Sequence, residues 1–173
     1  MKDILISRRE FLKDIGMIGA GVLLSASPWL SAFSEVVETS GEKCRLAIIG
    51  PGSRGRFLMS FLVQNPKVEI VALCDIYQPS IEKALELAPK AKVYDDYRKI
   101  LEDKTVDAVL VATPLNSHCQ IVLDAFDAGK HVFCEKSIGF TMEECFRIYS
   151  KHISTGKIFF TGQQRLFDPR YIK

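Results

Sequence analysis

The sequence has few of the residues from which metal and disulfide frameworks are built. It contains three histidines and five cysteines, and no two cysteines form a CxxC pair. An odd number of cysteines without paired spacing fits neither a disulfide scaffold nor a zinc site. We therefore interpret the cysteines as small buried hydrophobic residues, and we expect no metal centre.

An excess of charge of one sign is also missing. The formal net charge is only +2, and no basic stripe with interleaved aromatic residues is present. A nucleic-acid partner is therefore not expected. A length of 173 residues with 47% hydrophobic residues fits a single globular domain.

An apolar run long enough to cross a bilayer is absent near the N-terminus, since a membrane span needs about 20 residues. Residues 1–14 are basic, residues 15–24 are apolar, and a stretch rich in serine and alanine follows. This order predicts a secretory signal over residues 1–34, followed by a linker over residues 35–43. The alternative is an uncleaved membrane anchor, if the helix tilts and the residues up to 33 are counted.

The stretch SRREFLK within this segment resembles the twin-arginine export signal at every specified position. The resemblance implies recognition by the twin-arginine translocation machinery, which moves proteins that are already folded and often carry a cofactor. We therefore expect a periplasmic protein, either free or anchored to the membrane. A nucleotide bound in the cytoplasm would leave the cell with the folded chain.

A glycine-rich loop follows the first predicted strand. Residues 44–50 (CRLAIIG) have the apolar pattern of a buried parallel strand, and Gly50, Gly52 and Gly55 fit the GxGxxG pattern. In this pattern the first glycine permits a tight turn and the second lets the backbone approach a pyrophosphate. The third lets the helix pack closely on the strand.

The predicted helix after this loop supplies the second half of a phosphate site. Its N-terminus presents unpaired N–H groups and a partial positive charge. Because Pro51 has no N–H, the amides of Gly52, Ser53 and Arg54 are the candidate phosphate ligands.

A second predicted strand ends in Asp75, about 20 residues beyond the loop, where an acidic side chain binds the adenosine ribose hydroxyls. A carboxylate there would repel the 2′-phosphate of NADP. Ile76 stands where an arginine would have indicated NADP. The sequence therefore predicts NAD as the cofactor, with NADP as the alternative if Arg54 or Arg56 compensates.

Strands and helices continue to alternate up to residue 162, with a further capping-box pattern at Thr141 and Glu144. The predicted strands cover 91–96, 106–113, 130–136 and 157–162, and the predicted helices cover 79–88, 96–103, 116–129 and 141–154. Such alternation predicts right-handed βαβ crossovers and a doubly wound parallel sheet, the Rossmann type of α/β fold. A ligand is then expected across the carboxyl ends of the strands.

Three further stretches, ATPLNSH (112–118), CEKS (134–137) and GQQRLFDP (162–169), complete a recognisable set. Together with the glycine loop they resemble the glucose–fructose oxidoreductase/inositol dehydrogenase family (Gfo/Idh/MocA). The resemblance covers residues 44–173. Two positions depart from the family pattern: Ser137 replaces a proline that is often preceded by a cis peptide, and Arg165 matches the family arginine only loosely.

The resemblance assigns roles to residues of these stretches. Thr113, Pro114 and His118 would line the cofactor cleft near the ribose and nicotinamide, although His118 could instead merely cap a helix. Lys136 would be the catalytic residue, holding the reacting hydroxyl and favouring its deprotonation, because a cation stabilises the developing alkoxide. Glu135 would bind the cofactor or orient Lys136.

The family's second, α+β domain, which forms the substrate wall, has no counterpart in residues 1–173. We therefore expect a Rossmann domain over residues 44–162, the start of a linker over residues 163–173, and a chain that is a fragment or a shortened product. The parent protein would be an exported oxidoreductase acting on a sugar or polyol hydroxyl, and a homo-oligomer in its full-length form.

Two other functions remain open. One is an NAD-dependent glycosidase that works through oxidation and elimination, as in the exported α-N-acetylgalactosaminidases that resemble this family. The other is a non-catalytic nucleotide-binding module, if the chain truly ends at residue 173. In either case the isolated chain is expected to bind its nucleotide without turnover.

Overall fold

The computed structural model describes residues 43–163, and these residues form one six-stranded parallel sheet in the order β3-β2-β1-β4-β5-β6. The strands are β1 (Cys44–Ile49), β2 (Val68–Cys74), β3 (Lys92–Tyr94), β4 (Ala108–Val111), β5 (His131–Cys134) and β6 (Phe159–Thr161). The helices are α1 (Ser53–Leu62), α2 (Gln78–Leu85), α3 (Tyr97–Glu102), α4 (Leu115–Asp127) and α5 (Met142–Thr155). The predicted export signal over residues 1–34, most of the linker after it and Arg165 lie outside the described residues.

The strand order confirms the predicted doubly wound sheet. The chain moves outward from β1 to β3, then returns to the other side of β1 at β4, so the order reverses between β1 and β4. A crevice opens at such a switch point, outside the carboxyl ends of the strands. In the register of the sheet Ile49 pairs with Cys74 on one side and with Val111 on the other, and Val111 pairs with Cys134. The segments that follow these strands therefore meet at one edge.

Apolar residues cover both faces of the sheet, which explains why the strands read as continuous hydrophobic runs. Alternate residues of β1 enter opposite cores: Leu46 and Ile48 pack in one cluster, and Ala47 and Ile49 pack in the other. No helix within residues 43–163 combines the length and the apolar character needed to cross a membrane.

The cysteines behave as the sequence indicates. All five are free thiols, and four of them are buried: Cys44, Cys74, Cys119 and Cys134. Burial raises the pKa of both Cys44 and Cys74 to about 11, and burial also raises the pKa of Cys134. These thiols are therefore protonated core residues.

Most element ends follow local sequence chemistry. The capping box at the start of α5 is confirmed, since the Thr141 hydroxyl accepts from the Glu144 N–H and the Glu144 carboxylate accepts from the Thr141 N–H. The third predicted strand is shorter than expected. Its last position, Asp96, instead caps α3 by accepting a hydrogen bond from the Arg98 N–H at 2.9 Å. The helix predicted over residues 79–88 likewise ends at Leu85.

Candidate cofactor-binding and active site

The glycine loop after β1 is shaped by contacts that exclude side chains. Gly50 has a φ of +85°, and a Cβ there would lie 2.8 Å from the backbone nitrogen of Thr113. A Cβ at Gly55 would lie 2.5 Å from the carbonyl oxygen of Gly50. These two glycines therefore allow the tight turn and the close approach of α1 to the sheet, as the GxGxxG pattern predicts.

The middle glycine is different, because a Cβ at Gly52 would meet no atom within 4 Å. Gly52 is the N-cap of α1, and no side chain caps this helix end or places an acidic group in its first turn. The amides of Ser53 and Arg54 lie in that first turn. An open space in front of a positive helix end fits the pyrophosphate of a dinucleotide.

Asp75 follows β2 directly and lies next to the loop, since the Gly50 N–H donates to the Cys74 carbonyl at 2.8 Å. Its Oδ1 accepts a hydrogen bond from the Tyr77 N–H at 2.9 Å. The next residue, Ile76, is 100% exposed and adds no positive charge beside the carboxylate. This is the position at which an acidic residue reaches a ribose in Rossmann domains.

The two arginines that could have compensated for a 2′-phosphate are engaged elsewhere. Arg54 Nε donates to Glu135 Oε1 at 2.7 Å, at the end of β5 on the opposite side of β1 from Asp75. Arg56 Nη1 donates to the Pro51 carbonyl at 2.8 Å. The geometry therefore gives the NADP alternative no support from either side chain.

A cavity of about 400 Å³ lies on the β4–β5 side of the loop. Its lining comes from α1 and from the segments after β4 and β5: Arg54, Ala112, Thr113, Leu115, His118, Glu135 and Lys136. Five of these are residues that the sequence and the family resemblance single out. The fold therefore brings together residues that are up to 82 positions apart in the chain.

Thr113 and Pro114 form the turn between β4 and α4. Pro114 is the N-cap of α4, and the Ser117 hydroxyl lies 2.8 Å from both the Thr113 hydroxyl and the Pro114 carbonyl. The first turn of α4 therefore fixes the Thr113 side chain at the cavity wall. Pro114 stands next to the cavity without being part of its lining.

His118 ties two loops together. The side chain is almost completely buried, with Nδ1 2.8 Å from the Ser137 carbonyl oxygen and Nε2 2.8 Å from the Thr113 carbonyl oxygen. Each ring nitrogen thus faces a backbone carbonyl oxygen of the protein. His118 thus lies at the cavity wall, where the resemblance predicts it, and it also holds the segments after β4 and β5 together.

Glu135 and Lys136 follow β5 at the far side of the cavity. The Glu135 side chain is 7% exposed and accepts hydrogen bonds from Arg54 and from the Lys136 backbone N–H at 3.1 Å. The Lys136 side chain is exposed at the cavity. The peptide bond between Lys136 and Ser137 is cis, although residue 137 is not a proline.

The pairing of Arg54 with Glu135 was not predicted from the sequence. The two residues are 81 positions apart, and no local pattern links them. The sequence also does not show that Gly162 leaves the space for this carboxylate. A Cβ at Gly162 would lie 2.8 Å from the Glu135 carboxylate oxygens. The only available signal was that both ionisable residues begin segments expected at the same edge of the sheet.

The fold and the loop define a dinucleotide-binding Rossmann domain. Residues 44–163 match the family model described as the Gfo/Idh/MocA oxidoreductase family, NAD-binding Rossmann fold. The chain therefore belongs to the Gfo/Idh/MocA family through its NAD-binding domain.

Two curated relatives carry names from glycoside hydrolysis. A glycosyl hydrolase family 109 protein of Stenotrophomonas maltophilia is 34% identical over 87% of this chain and 34% of its own length. An α-N-acetylgalactosaminidase of Shewanella oneidensis is 31% identical over 83% of this chain and 36% of its own length. The chain thus spans about a third of the length of these relatives.

The domain is also similar to a solved dehydrogenase structure. The myo-inositol dehydrogenase from Lactobacillus casei in complex with NAD(H) and myo-inositol is 32% identical. The match has a TM-score of 0.70 and covers 73% of this chain and 38% of that chain.

Proposed function

We propose that this protein is the NAD-binding part of an oxidoreductase that oxidises a hydroxyl group of a sugar or polyol. The observation that carries the proposal is the position of Lys136, which lines a cavity beside the glycine loop together with Thr113 and Glu135. The similarity to an inositol dehydrogenase supports a polyhydroxylated substrate.

Two residues at the cavity have roles in this reaction. When bound, NAD supplies the hydride acceptor. The Lys136 ammonium binds the reacting hydroxyl oxygen and stabilises the negative charge that develops as its proton leaves. Glu135 accepts a hydrogen bond from the Lys136 backbone and so fixes where the lysine side chain begins.

An NAD-dependent glycosidase is the second candidate, because the two curated relatives described above carry glycosidase names. In that chemistry a transient oxidation activates the sugar for elimination, and later re-reduction regenerates NAD. The same Lys136 would serve the oxidation step. The two reactions differ in their products, since only the oxidoreductase accumulates NADH or a keto sugar.

We further propose that residues 1–34 direct the folded protein, with NAD bound, through the twin-arginine route to the periplasm. The support is the SRREFLK stretch followed by apolar and small residues, which lies outside the described residues. A non-catalytic nucleotide-binding role is the remaining possibility for the isolated chain.

The deciding experiment uses the native protein from the envelope fraction of its host. We would measure its intact mass, then incubate it with inositols, hexoses and an aryl α-N-acetylgalactosaminide. NADH formation with a polyol would support the oxidoreductase, and sugar release without net NADH would support the glycosidase. Lys136→Gln should lower either activity about 100-fold or more. The control is Lys104→Gln, at an exposed lysine before β4, which should leave both activities unchanged. A Lys136→Gln protein with full turnover would defeat the proposal.

A further inference from the structure

Glu135 carries a buried carboxylate that the protein holds through three donors. Arg54 Nε and Nη2 both lie 2.7 Å from Oε1, and the Lys136 backbone N–H donates to Oε2 at 3.1 Å. Gly162 leaves the space that this carboxylate occupies, because a side chain there would collide with it. The Arg54–Glu135 ion pair is therefore a specific feature of the cavity wall.

The two partners differ in exposure. The Arg54 side chain is 41% exposed and its guanidinium lies 5.3 Å from the centre of the Phe57 ring, while the Glu135 carboxylate is buried. Removal of Arg54 leaves an uncompensated carboxylate in a poorly solvated place, whereas removal of the Glu135 carboxylate leaves a partly exposed cation without its partner. Either single loss would therefore change the electrostatic potential in the cavity.

The remaining charged side chain of the lining is Lys136, which belongs to no salt bridge among residues 43–163. The intact ion pair has no net charge, so the Lys136 ammonium gives the cavity wall a net positive charge. Loss of Arg54 lowers this charge by one unit, and loss of the Glu135 carboxylate raises it by one unit.

We propose that the Arg54–Glu135 pair sets which oxidation state of NAD the cleft holds more tightly. In hydride transfer a substrate C–H bond breaks and its hydrogen and electron pair form a C–H bond on the nicotinamide, whose positive charge disappears, while the hydroxyl proton leaves to solvent. A less positive wall therefore favours NAD⁺ and a more positive wall favours NADH. The inference rests on the proposed function, because it places the nicotinamide at the β4–β5 end of the cleft, opposite Asp75.

The test is the ratio of two dissociation constants for the 173-residue chain, measured at low salt by NADH fluorescence and by calorimetry with NAD⁺. Arg54→Gln should raise the ratio of the NADH constant to the NAD⁺ constant by about tenfold. Glu135→Gln should lower it by a similar factor, and the double variant should return close to the unmodified chain.

Arg45→Gln provides the matched control. It removes another ion pair, in which Arg45 Nη2 lies 3.0 Å from Asp107 Oδ1. This pair lies at the amino edge of the sheet, away from the cleft. The control should leave the ratio unchanged, and a shift as large as that of Arg54→Gln would overturn the proposal.

Equal weakening of both oxidation states in Arg54→Gln would also overturn it, because the pair would then act only as a structural clamp. If Arg54→Gln fails to fold, Glu135→Gln decides alone, since it must shift the ratio in the opposite direction. A folded, unmodified chain that binds neither form defeats the proposed function. A chain that binds both forms with unchanged ratios in the variants defeats only the charge argument.

Discussion

His118 and Ser137 are joined across the cleft by a 2.8 Å contact between the imidazole Nδ1 and the backbone carbonyl oxygen. The other ring nitrogen lies at the same distance from the Thr113 carbonyl oxygen. A single buried side chain on α4 thereby fixes the segments after β4 and β5 relative to each other. The positions of Thr113 and Lys136 in the cavity depend on this link.

His118→Phe should destabilise the domain, because it removes the imidazole N–H that lies between the Thr113 and Ser137 carbonyl oxygens while keeping an aromatic ring in place. We expect a loss of about 1–3 kcal/mol in the free energy of unfolding, measured by urea denaturation. NAD binding should also weaken, even under conditions where the variant is fully folded, since the segment carrying Lys136 is no longer held. An unchanged unfolding midpoint would show that the two carbonyls find other partners.

Gly52→Ala and Gly55→Ala should separate binding from folding. Alanine at position 55 places a Cβ 2.5 Å from the Gly50 carbonyl oxygen, and we expect it to lower the free energy of unfolding by about 1–3 kcal/mol. Alanine at position 52 meets no protein atom within 4 Å, so it should cost only the difference between glycine and alanine at an N-cap, at most about 1 kcal/mol.

The Gly52→Ala methyl group would nevertheless occupy the space in front of the α1 N-terminus. We expect the dissociation constant of NAD to rise at least about tenfold, because the pyrophosphate can no longer approach the backbone closely. The measurement is titration of NADH fluorescence with both variants. Normal NAD affinity in a folded Gly52→Ala protein would place the pyrophosphate elsewhere.

Substitutions at the end of β2 should change the choice between NAD and NADP. Asp75→Ala removes the carboxylate and should weaken NAD binding while narrowing its advantage over NADP. Adding Ile76→Arg, at the fully exposed neighbouring position, should then favour NADP through its 2′-phosphate. The readout is the ratio of the two dissociation constants, and unchanged selectivity in Asp75→Ala would mean that this carboxylate does not reach the ribose.

Asp103 should make the stability of the domain sensitive to acid. Hydrogen bonds from the Thr105 hydroxyl, the Thr105 N–H and the Tyr94 hydroxyl lower the pKa of Asp103 to about 2. Because the folded-state pKa lies below the unfolded value, its stabilising contribution is present above about pH 4 and is lost as the pH falls towards 2.

Asp103→Asn should therefore be less stable than the unmodified chain at pH 6, and the difference should shrink as the pH approaches 2. Urea denaturation at a series of pH values measures this difference. A gap that stays constant with pH would mean that the Asp103 interactions do not depend on its ionisation.

The parts of the fold that depend on neighbouring residues could be predicted from the sequence. The turn at Gly50, the close contact at Gly55 and the capping box at Thr141 are each set by groups a few positions away, or by backbone conformations that only glycine adopts easily. The alternation of apolar strands and helices was sufficient to predict the parallel sheet.

The parts that depend on distant residues could not. His118 reaches Ser137 across 19 positions, and Arg54 reaches Glu135 across 81. These contacts arise only once the sheet brings the two segments together, and the same residue types on an exposed surface would give an identical sequence pattern. The family resemblance placed these residues near a cofactor, but it did not indicate which of them bind one another.

The burial of Cys44, Cys74, Cys119 and Cys134 makes these four thiols largely indifferent to the redox poise of their surroundings. A protonated thiol inside a packed core is a poor nucleophile and is out of reach of oxidants, glutathione and disulfide-exchange catalysts. The same fold can therefore form under reducing conditions and persist under oxidising ones without acquiring or losing a covalent cross-link at these four positions.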